Sequence, residues 1–222
     1  MTSEVFNTDC LEYMRTLPDK AFQLAIADPP YGIGEDGKSN HSRGCLAKSQ
    51  EYTPKDWDSK APDKEFFNEL FRVCRNVIIW GANHFIENLP RQNASCWLLW
   101  DKKFSDGVDF SQFEMAWTSF DGMTKKFDKS PTTGEYKFHP TQKPVELYAW
   151  ILKHYGNQGD RIFDPMMGSQ SSRIAAYKLG FDYVGCELDK EYFDKGCERF
   201  DRECHGIVID SKGQKIQQQT LF

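Results

Sequence analysis

The segment Arg161-Ile162-Phe163-Asp164-Pro165-Met166-Met167-Gly168-Ser169 decides the fold of this chain. It begins as an apolar run of strand length and continues into a glycine turn. The residues that follow, up to Leu179, have the pattern of a helix that ends at Gly180, and the next apolar run ends at the acidic residue Glu187. A strand, a glycine turn, a helix and a strand ending in an acid form the layout of a nucleoside-binding βαβ unit. Because glycine turns are weak signals on their own, a βαβ unit without a ligand stays open as the alternative.

A second segment, Asp28-Pro29-Pro30-Tyr31, follows the apolar run 22–27, which has the length and the sharp boundaries of a buried strand. The two prolines lack backbone donors, so the turn is stiff and its carbonyl oxygens stay free to accept hydrogen bonds. Ligands bind at the carboxyl ends of strands in open α/β sheets. A carboxylate, carbonyl acceptors and an aromatic ring at that place suit an amino group on a flat heterocycle. A simple strand-ending turn is the alternative.

Together these segments resemble the amino-group DNA methyltransferases, which methylate adenine N6 or cytosine N4, and in particular the permuted type whose catalytic motif precedes the cofactor motif. The resemblance implies an α/β, Rossmann-like methyltransferase fold with a mostly parallel seven-stranded sheet, one antiparallel strand and helices on both faces. It covers roughly residues 5–35, 76–101 and 136–203. The segments that carry it are Asn7-Thr8-Asp9-Cys10-Leu11, Leu17-Pro18-Asp19, Asp28-Pro29-Pro30-Tyr31, His139-Pro140-Thr141-Gln142-Lys143-Pro144-Val145-Glu146-Leu147, Asp164 to Gly168, and Glu187-Leu188-Asp189.

The catalytic residues that the resemblance implies are those of the Asp-Pro-Pro-Tyr segment. Asp28 and the carbonyl of Pro29 would accept the two amino hydrogens of the target base, with Pro30 completing the stiff turn. Tyr31 would stack on the base after it has swung out of the duplex. Whether Asp28 takes the proton or only orients the amino group stays open.

The cofactor that the resemblance implies is S-adenosyl-L-methionine, and no metal site is expected. Glu187 would hold the ribose, and Asp9 with Cys10 would lie near the adenine. Thr141 and Lys143 would hold the region of the methionine carboxylate. The expected cofactor residues are Asp9, Cys10, Asp28, Thr141, Lys143, Asp164, Met166, Gly168, Ser169, Glu187 and Leu188.

The cofactor turn departs from the family pattern at one position. Members commonly have Gly-Ser-Gly there, whereas this chain has Gly168-Ser169-Gln170. We expect the side chain of Gln170 to narrow the close approach that glycine permits and so to weaken cofactor binding. A relative that binds DNA without catalysis therefore stays open as an alternative.

The composition indicates one soluble domain of ordinary type, since 39% of the 222 residues are hydrophobic and 27% are charged. We expect a methyltransferase domain over residues 1–205 and a polar tail over 206–222. The net charge of −5 counts mildly against nucleic acid, so a methyltransferase acting on RNA or protein stays open. Seven cysteines without a Cys-x-x-Cys pair, and no signal-peptide or membrane-span pattern, favour a reducing cytoplasm. On the resemblance, we expect a bacterial protein, or a bacteriophage protein that acts in the bacterial cytoplasm.

Apolar periodicity predicts seven strands and six helices, with the strand at 114–120 antiparallel at the far side of the sheet. Residues 32–63 have no sustained period, and we expect a mobile loop that closes over cofactor or DNA, with surface disorder as the alternative. The predicted strands cover 3–7, 22–27, 77–80, 96–100, 114–120, 161–164 and 183–186. The predicted helices cover 11–17, 64–74, a short stretch that ends at Leu89-Pro90, 145–155, 172–179 and 190–203.

Segment 121–140 is the expected contact with duplex DNA. Residues 122–143 hold five lysines against two acidic residues, with aromatic residues interleaved. Lysine suits phosphate, and aromatic rings suit bases; a solvated basic loop is the alternative. The expected DNA-binding residues are Lys125, Lys126, Lys129, Tyr136 and Lys137.

Further expectations concern the target base and the protein partners. Asp at the first position of the catalytic motif is typical of adenine members, whereas cytosine-N4 members often have Ser, so adenine N6 is expected and cytosine N4 stays open. The chain end resembles the peptides that dock on the bacterial sliding clamp, with Gln218, Leu221 and Phe222 at the key positions; a frayed or folded-back end is the alternative. The resemblance also implies a homodimer.

Overall fold

The computed structural model describes residues 1–34, 58–104, 111–131, 137–209 and 213–217. The predicted strands and helices are present, with ends that match or shift by up to three residues, except that the short helix predicted before Pro90 is replaced by two 3₁₀ turns. In chain order the elements are β1 (Ser3–Asn7), α1 (Cys10–Arg15), β2 (Phe22–Ala27), α2 (Lys64–Val73), β3 (Cys74–Trp80), the 3₁₀ turns Ala82–His84 and Ile86–Asn88, β4 (Trp97–Asp101), β5 (Phe113–Thr118), β6 (Lys125–Asp128), α3 (Val145–Tyr155), β7 (Arg161–Asp164), α4 (Ser171–Leu179), β8 (Asp182–Glu187), α5 (Lys190–His205), β9 (Ile207–Ile209) and β10 (Lys215–Gln217).

The central sheet has the strand order β1-β8-β7-β2-β3-β5-β4-β6. Strand β5 runs antiparallel to both of its neighbours, and the remaining neighbours pair in parallel. The mostly parallel sheet with one antiparallel strand is therefore confirmed. Two details of the prediction are wrong: the described residues form eight strands in this sheet rather than seven, and β5 lies between β3 and β4 rather than at the far side.

The eighth strand, β6, comes from the basic segment that the sequence marks as a DNA contact. Its residues pair in parallel with β4, from Leu98 opposite Lys125 to Asp101 opposite Asp128. Only Phe127 of this strand points an aromatic ring into the protein, where it packs against Trp150 at 5.7 Å between ring centroids. One apolar residue among four is too weak a pattern to predict a strand, and pairing with β4 is what fixes it.

Two apolar cores lie on opposite faces of the sheet. Leu24 and Ile26 of β2 face α3 and α4, whereas Ala25 and Ala27 of the same strand face α1 and α2. This alternation is the strand period of two, with both faces covered because the sheet is largely parallel. Helices on both faces are as predicted.

The strand order decides which chain segments meet at the ligand-binding edge. Strands β1, β8, β7, β2 and β3 are parallel neighbours, so their carboxyl ends lie side by side. The antiparallel β5 adds its first residues, including Glu114, to the same edge. The segments brought together, in spatial order, are Asp9-Cys10, Glu187-Leu188, Asp164 to Ser169, and Asp28 to Tyr31.

The segment after α5 contains more structure than a polar tail. Gly206 ends the helix in the left-handed region, with φ +66°, and β9 and β10 then pair as a small antiparallel sheet. An ion pair of 2.7 Å between Lys215 Nζ and Asp201 Oδ2 ties this sheet to α5. Gln218, Leu221 and Phe222, and most of the predicted loop 32–63, lie outside the described residues. None of the helices in the described ranges is long and apolar enough to span a bilayer.

Candidate active site

The carboxylate of Asp58 stabilises the Asp28–Tyr31 turn through hydrogen bonds to its backbone. The backbone N–H groups of Tyr31 and Gly32 both donate to Asp58 Oδ1, at 2.7 and 2.9 Å. The Asp58 residue is only 2% exposed. Sequence reasoning missed Asp58, because it lies in the polar stretch 32–63, where nothing in the local pattern distinguishes one acid from another.

The ring of Tyr31 is fixed by two neighbours. Gly81 has φ +67°, and a Cβ atom at this position would lie 2.1 Å from Tyr31 Cε1, so the glycine is required for the ring to fit. The exposed ring of His84 stacks on Tyr31, with centroids 5.2 Å apart and planes 14° from parallel. The hydroxyl of Tyr31 donates to Asp28 Oδ1 at 2.9 Å.

Lys143 lies directly on the candidate catalytic carboxylate. Its Nζ is 2.5 Å from both oxygens of Asp28 and 3.0 Å from Glu114 Oε2, and its side chain is 2% exposed. The other oxygen of Glu114 is 2.5 Å from Nζ of Lys102. The sequence places Lys143 near the cofactor carboxylate; in the structure its ammonium group contacts Asp28. Glu114 is absent from the predicted site, since it stands alone among apolar residues of β5.

The electrostatics of this cluster follow from burial and from the paired charges. Burial raises the pKa of Asp28, and the Lys143 ammonium offsets this only in part. For Glu114, burial acts in the same direction, but Lys143 and Lys102 together outweigh it and bring the pKa down to about 2. Burial lowers the pKa of Lys143, yet Asp28 and Glu114 outweigh it, so its pKa is raised. Glu114 and Lys143 are therefore charged near neutral pH.

The predicted ribose ligand, Glu187, is positioned by the cofactor turn. The N–H of Gly168 donates to its Oε2 and the N–H of Asp189 to its Oε1, both at 2.8 Å. Gly168 has φ +49°, and a Cβ there would lie 3.3 Å from His139 Nε2. Leu188, the next residue, is an apolar side chain that is 69% exposed at this edge. A fixed carboxylate beside an exposed apolar side chain is suited to a ribose with an attached base.

Asp164 is buried at the end of β7. It accepts hydrogen bonds from the N–H of Met166 at 3.0 Å and from Ser172 Oγ at 2.5 Å. Burial is the main reason why its pKa is raised to about 7. The carboxyl group thus shapes the turn that carries Met166 and Gly168 and joins it to the start of α4.

Arg199 of α5 links the cofactor turn to the segment that carries Lys143. Its guanidinium donates to the carbonyl of Ser169 at 3.1 Å and to Ser171 Oγ at 2.8 Å. Ser171 Oγ in turn donates to the carbonyl of Lys143 at 2.7 Å. Sequence reasoning missed Arg199, although one signal was present: it stands on the buried side of an amphipathic helix with Tyr192, Gly196 and Phe200.

Gln170 does not act as the sequence predicts. It adopts the left-handed region, with φ +59°, and its buried side chain donates from Nε2 to the carbonyl of Phe193 at 3.1 Å. Its Oε1 accepts from Arg173 at 2.8 Å. The side chain of Gln170 fits there because residue 196 is a glycine: a Cβ at Gly196 would lie only 2.6 Å from Gln170 Nε2. The expected narrowing of the cofactor turn is wrong, since the side chain lies between α4 and α5.

The other predicted cofactor residues lie at the same edge. Asp9 caps α1 by accepting from the N–H groups of Leu11 and Glu12 at 2.7 and 3.0 Å. Cys10 is buried, and burial raises its pKa to about 12. Thr141 Oγ1 lies 3.2 Å from Nδ1 of His139, beside the turn at Gly168. Their contacts with the cofactor remain predictions.

Two of the predicted DNA-binding lysines, Lys126 and Lys129, have acidic partners. Lys126 lies 2.9 Å from Asp128 and 3.3 Å from Asp101 of β4, and Lys129 lies 2.5 Å from Glu146 of α3. Lys125 lies 5.5 Å from the ring centroid of Tyr155, in the range of a cation–π contact. Lys137 is half-buried, and Tyr136 lies outside the described residues. A local count of charges overestimates how basic this surface is.

A match to a known protein family establishes the family of the chain. A family model described as DNA methylase matches residues 80–198, more than half of the chain. The chain belongs to this N6/N4 DNA methylase family. The curated relatives include the type II methyltransferase M2.MboI of Moraxella bovis, 24% identical over 97% of this chain and 93% of that protein. Another is the type II methyltransferase M.HinfI of Haemophilus influenzae, 26% identical over 98% of this chain and 75% of that protein.

Solved structures of methyltransferases share the fold. M1.HpyAVI, solved in complex with S-adenosyl-L-methionine, aligns with a TM-score of 0.59 and 18% identity over 89% of this methylase and 98% of that chain. The cytosine-N4-specific PvuII DNA methyltransferase aligns with a TM-score of 0.57 and 13% identity, over 93% and 94% of the two chains. The predicted family, fold and cofactor of this methylase are confirmed, as is its class as an N6/N4 DNA methyltransferase. The choice of adenine N6 over cytosine N4 stays a prediction. The permuted motif order and the individual site residues stay predictions.

Proposed function

We propose that this methylase transfers a methyl group from S-adenosyl-L-methionine to N6 of adenine at a specific sequence in duplex DNA, as part of a bacterial restriction-modification system. The type II relatives support the site-specific reaction and the restriction-modification setting. The observation that carries the choice of adenine is the carboxylate of Asp28 at the first position of the catalytic turn, which adenine members of the family favour. A cytoplasmic location follows from the DNA substrate of such a system.

The residues at the carboxyl edge fit the cofactor. Glu187 presents a carboxylate at the end of β8, and the exposed apolar side chain of Leu188 lies next to it. Gly168 has a positive φ of +49°, which disfavours any side chain, and an added Cβ would be in tight contact with His139 at 3.3 Å. When bound, S-adenosyl-L-methionine supplies an electrophilic methyl group. Glu187 would hold the ribose, with Asp9 and Cys10 near the adenine, and Asp164, Met166, Gly168 and Ser169 would form the turn beside the methionine.

The catalytic turn lies beside this site, because β2 and β7 are neighbouring parallel strands. Asp28 and the carbonyl of Pro29 would accept the two hydrogens of the amino group and so direct its lone pair towards the methyl donor. Tyr31 would form one wall for the flipped base. As the new N–C bond forms, the bond between the methyl carbon and the sulfonium sulfur would break, with its electron pair left on sulfur as a neutral thioether. The nitrogen then loses one proton, and Asp28 is the carboxylate proposed to take it. The amino group must first displace the Lys143 ammonium from Asp28.

DNA contacts are proposed for the surface of β6 and the segments next to it. Lys125, Lys126, Lys129 and Lys137 would contact phosphates, with smaller contributions from Lys126 and Lys129 because both are ion-paired with acidic residues. Tyr136 would contact bases. The described part of residues 206–217 packs against α5, and the tail beyond it would dock on the sliding clamp through Gln218, Leu221 and Phe222. Clamp capture that is unchanged by deleting Leu221 and Phe222 would refute the docking.

Cytosine N4 is the second candidate target. It is favoured by the shared fold with the PvuII enzyme, whose target is cytosine N4. Both bases present an exocyclic amino group with two hydrogens, so the same acceptors at Asp28 and Pro29 would serve either one. Only the product separates the two candidates.

The test is methyl incorporation from labelled S-adenosyl-L-methionine into mixed-sequence duplex DNA, followed by mass spectrometry of the nucleosides. We expect N6-methyladenine from the wild type and none from Asp28→Ala. Asp19→Ala, which removes an exposed carboxylate paired with Arg72, is the matched control and should keep full activity. N4-methylcytosine alone would establish the second candidate, and methylation by Asp28→Ala at the wild-type rate would remove Asp28 from the mechanism.

A further inference from the structure

We propose that Glu114 is a positioning residue of the methyl transfer, which holds the Lys143 ammonium when the target amino group takes its place at Asp28. The inference rests on the proposed role of Asp28. It adds a residue that lies outside the Asp-Pro-Pro-Tyr segment and the cofactor turn. Glu114 enters the site only because β5 runs antiparallel to its neighbours and brings its first residues to the carboxyl edge.

Lys143 covers the carboxylate of Asp28. Lys143 Nζ lies 2.5 Å from both carboxylate oxygens of Asp28, so the ammonium occupies the face that an amino group would have to reach. Tyr31 already donates to Oδ1 of the same carboxylate at 2.9 Å. A substrate amino group can donate to Asp28 only after Lys143 has moved away from at least one of these oxygens.

Lys143 cannot leave for solvent without a large cost. Its side chain is 2% exposed, and an ammonium group that is buried without a counter-charge is strongly destabilised. Trp80 and Tyr31 each present a ring whose centroid lies 5.6 Å from Nζ, so aromatic surfaces flank the ammonium group. Glu114 Oε2, at 3.0 Å, offers a second carboxylate within ion-pair distance. A shift of Nζ towards Glu114 keeps the charge paired throughout.

An ion pair with Lys102 fixes the position of the Glu114 carboxylate. Lys102 Nζ holds its other oxygen at 2.5 Å, so Oε2 remains directed at Lys143. The Tyr31 hydroxyl is 3.4 Å from Glu114 Oε2 and 2.9 Å from Asp28 Oδ1, and thus lies between the two carboxylates. The two lysines balance the two acids, so the ammonium group can move between the carboxylates without changing the net charge of the site.

The test compares single-turnover methyl transfer by the wild type, Glu114→Gln and Glu114→Asp, with excess enzyme and saturating labelled cofactor. Glu114→Gln should lower the rate roughly 10- to 100-fold, because Asp28 is then the one charged partner of Lys143 among the residues that the structure describes. Glu114→Asp keeps the charge and should recover much of that loss. Cofactor binding, measured by calorimetry, should stay within about twofold for both variants. A rate for Glu114→Gln equal to the wild type would overturn the proposal.

The matched control is Glu69→Gln. Glu69 is as exposed as Glu114, at 20% of its side chain, and is also ion-paired, with Arg72 on α2. Its variant should transfer methyl groups at the wild-type rate. An equal loss of rate in Glu69→Gln and Glu114→Gln would show a general effect of losing an ion pair and would overturn the positioning role.

A second comparison uses the background Lys143→Gln. Without the ammonium group, Glu114 only repels Asp28, so adding Glu114→Gln should leave the rate unchanged or raise it. A further loss equal to that in the wild-type background would mean that Glu114 acts independently of Lys143, and would overturn the proposal. Total label in DNA is the readout, so a product on cytosine would contradict the proposed base while leaving the Glu114 comparison intact.

Discussion

Asp58 holds Tyr31 in place from 27 residues further along the chain, through a hydrogen bond of 2.7 Å from the Tyr31 backbone N–H to Asp58 Oδ1. The same oxygen accepts from the N–H of Gly32 at 2.9 Å. One buried carboxylate therefore satisfies two donors immediately after the two prolines, where the turn would otherwise leave them unpaired. The rigidity of the catalytic turn comes from Asp58 as well as from the prolines.

Replacing Asp58 by Ala should loosen this turn. Each hydrogen bond to a charged acceptor is worth about 1.5–3 kcal/mol, so we expect single-turnover methyl transfer to fall roughly 10- to 100-fold. Cofactor affinity should change little, because Glu187 ends β8 and Gly168 lies in the turn after β7, away from the Asp28–Tyr31 turn. Asp58→Asn, which keeps one acceptor oxygen, should transfer methyl groups at a rate between those of the wild type and Asp58→Ala. Wild-type rates for Asp58→Ala would show that the prolines suffice.

Gly81→Ala should lower both activity and stability, because it displaces the ring of Tyr31. The new Cβ would lie 2.1 Å from the Tyr31 ring, so the ring must move away from Asp28. Overpacking of this kind costs about 1–3 kcal/mol of unfolding free energy, and methyl transfer should fall with it. Gly180→Ala is the matched control, since Gly180 also has a positive φ, of +80°, with no atom within 4 Å of an added Cβ. It should lose stability by backbone strain alone and keep its activity.

Gln170→Gly introduces the glycine of the Gly-Ser-Gly family pattern into the cofactor turn, yet it should not improve cofactor binding. The side chain of Gln170 lies between α4 and α5, where it contacts Phe193 and Arg173. We expect a net loss of about 1–2 kcal/mol in unfolding free energy, since the lost hydrogen bonds and packing outweigh the relief of a left-handed backbone. Calorimetry that shows a tenfold gain in cofactor affinity would contradict this placement.

Asp164 should make stability fall as pH rises. Burial raises its folded pKa to about 7 from the ordinary 3.8, so the folded state binds a proton more tightly than the unfolded state. Its contribution is complete below pH 4 and is lost as pH rises to about 7, a change on the order of 4 kcal/mol. Asp164→Asn should lack this component. Urea unfolding of the wild type and of Asp164→Asn between pH 4 and 8 measures this pH-dependent part of the unfolding free energy. If the two proteins showed the same dependence of unfolding free energy on pH, the prediction would be wrong.

Lys125 and Lys126 should differ in their contribution to DNA binding. Both are exposed on β6, but Lys126 pairs with Asp101 and Asp128, whereas Lys125 lies over the ring of Tyr155. Lys125→Ala should lower the slope of log affinity against log salt by about 0.9, the value for one phosphate contact. Lys126→Ala should change it much less. Equal slopes for the two variants, measured by fluorescence anisotropy, would contradict the difference.

Several features of this methylase were predictable from short stretches of sequence. The strand at 22–27, the Asp28–Tyr31 turn and the βαβ unit from 161 to 187 depend on alternation, prolines and glycines within a few residues of one another. Such local signals do not need the rest of the chain. Strand β6 was missed because a single aromatic residue among charged ones has no period to detect.

The sequence by itself determined most of the strands and helices in their chain order, the Asp28–Tyr31 turn and the family. The tertiary structure alone decided which side chains face Asp28 and Tyr31. Lys143 reaches Asp28 from 115 positions away, and Glu114 arrives through an antiparallel strand. Arg199 joins the cofactor turn from the last long helix. These contacts depend on strand order and on the burial of charge, which are properties of the assembled sheet, and no pattern of neighbouring residues encodes them.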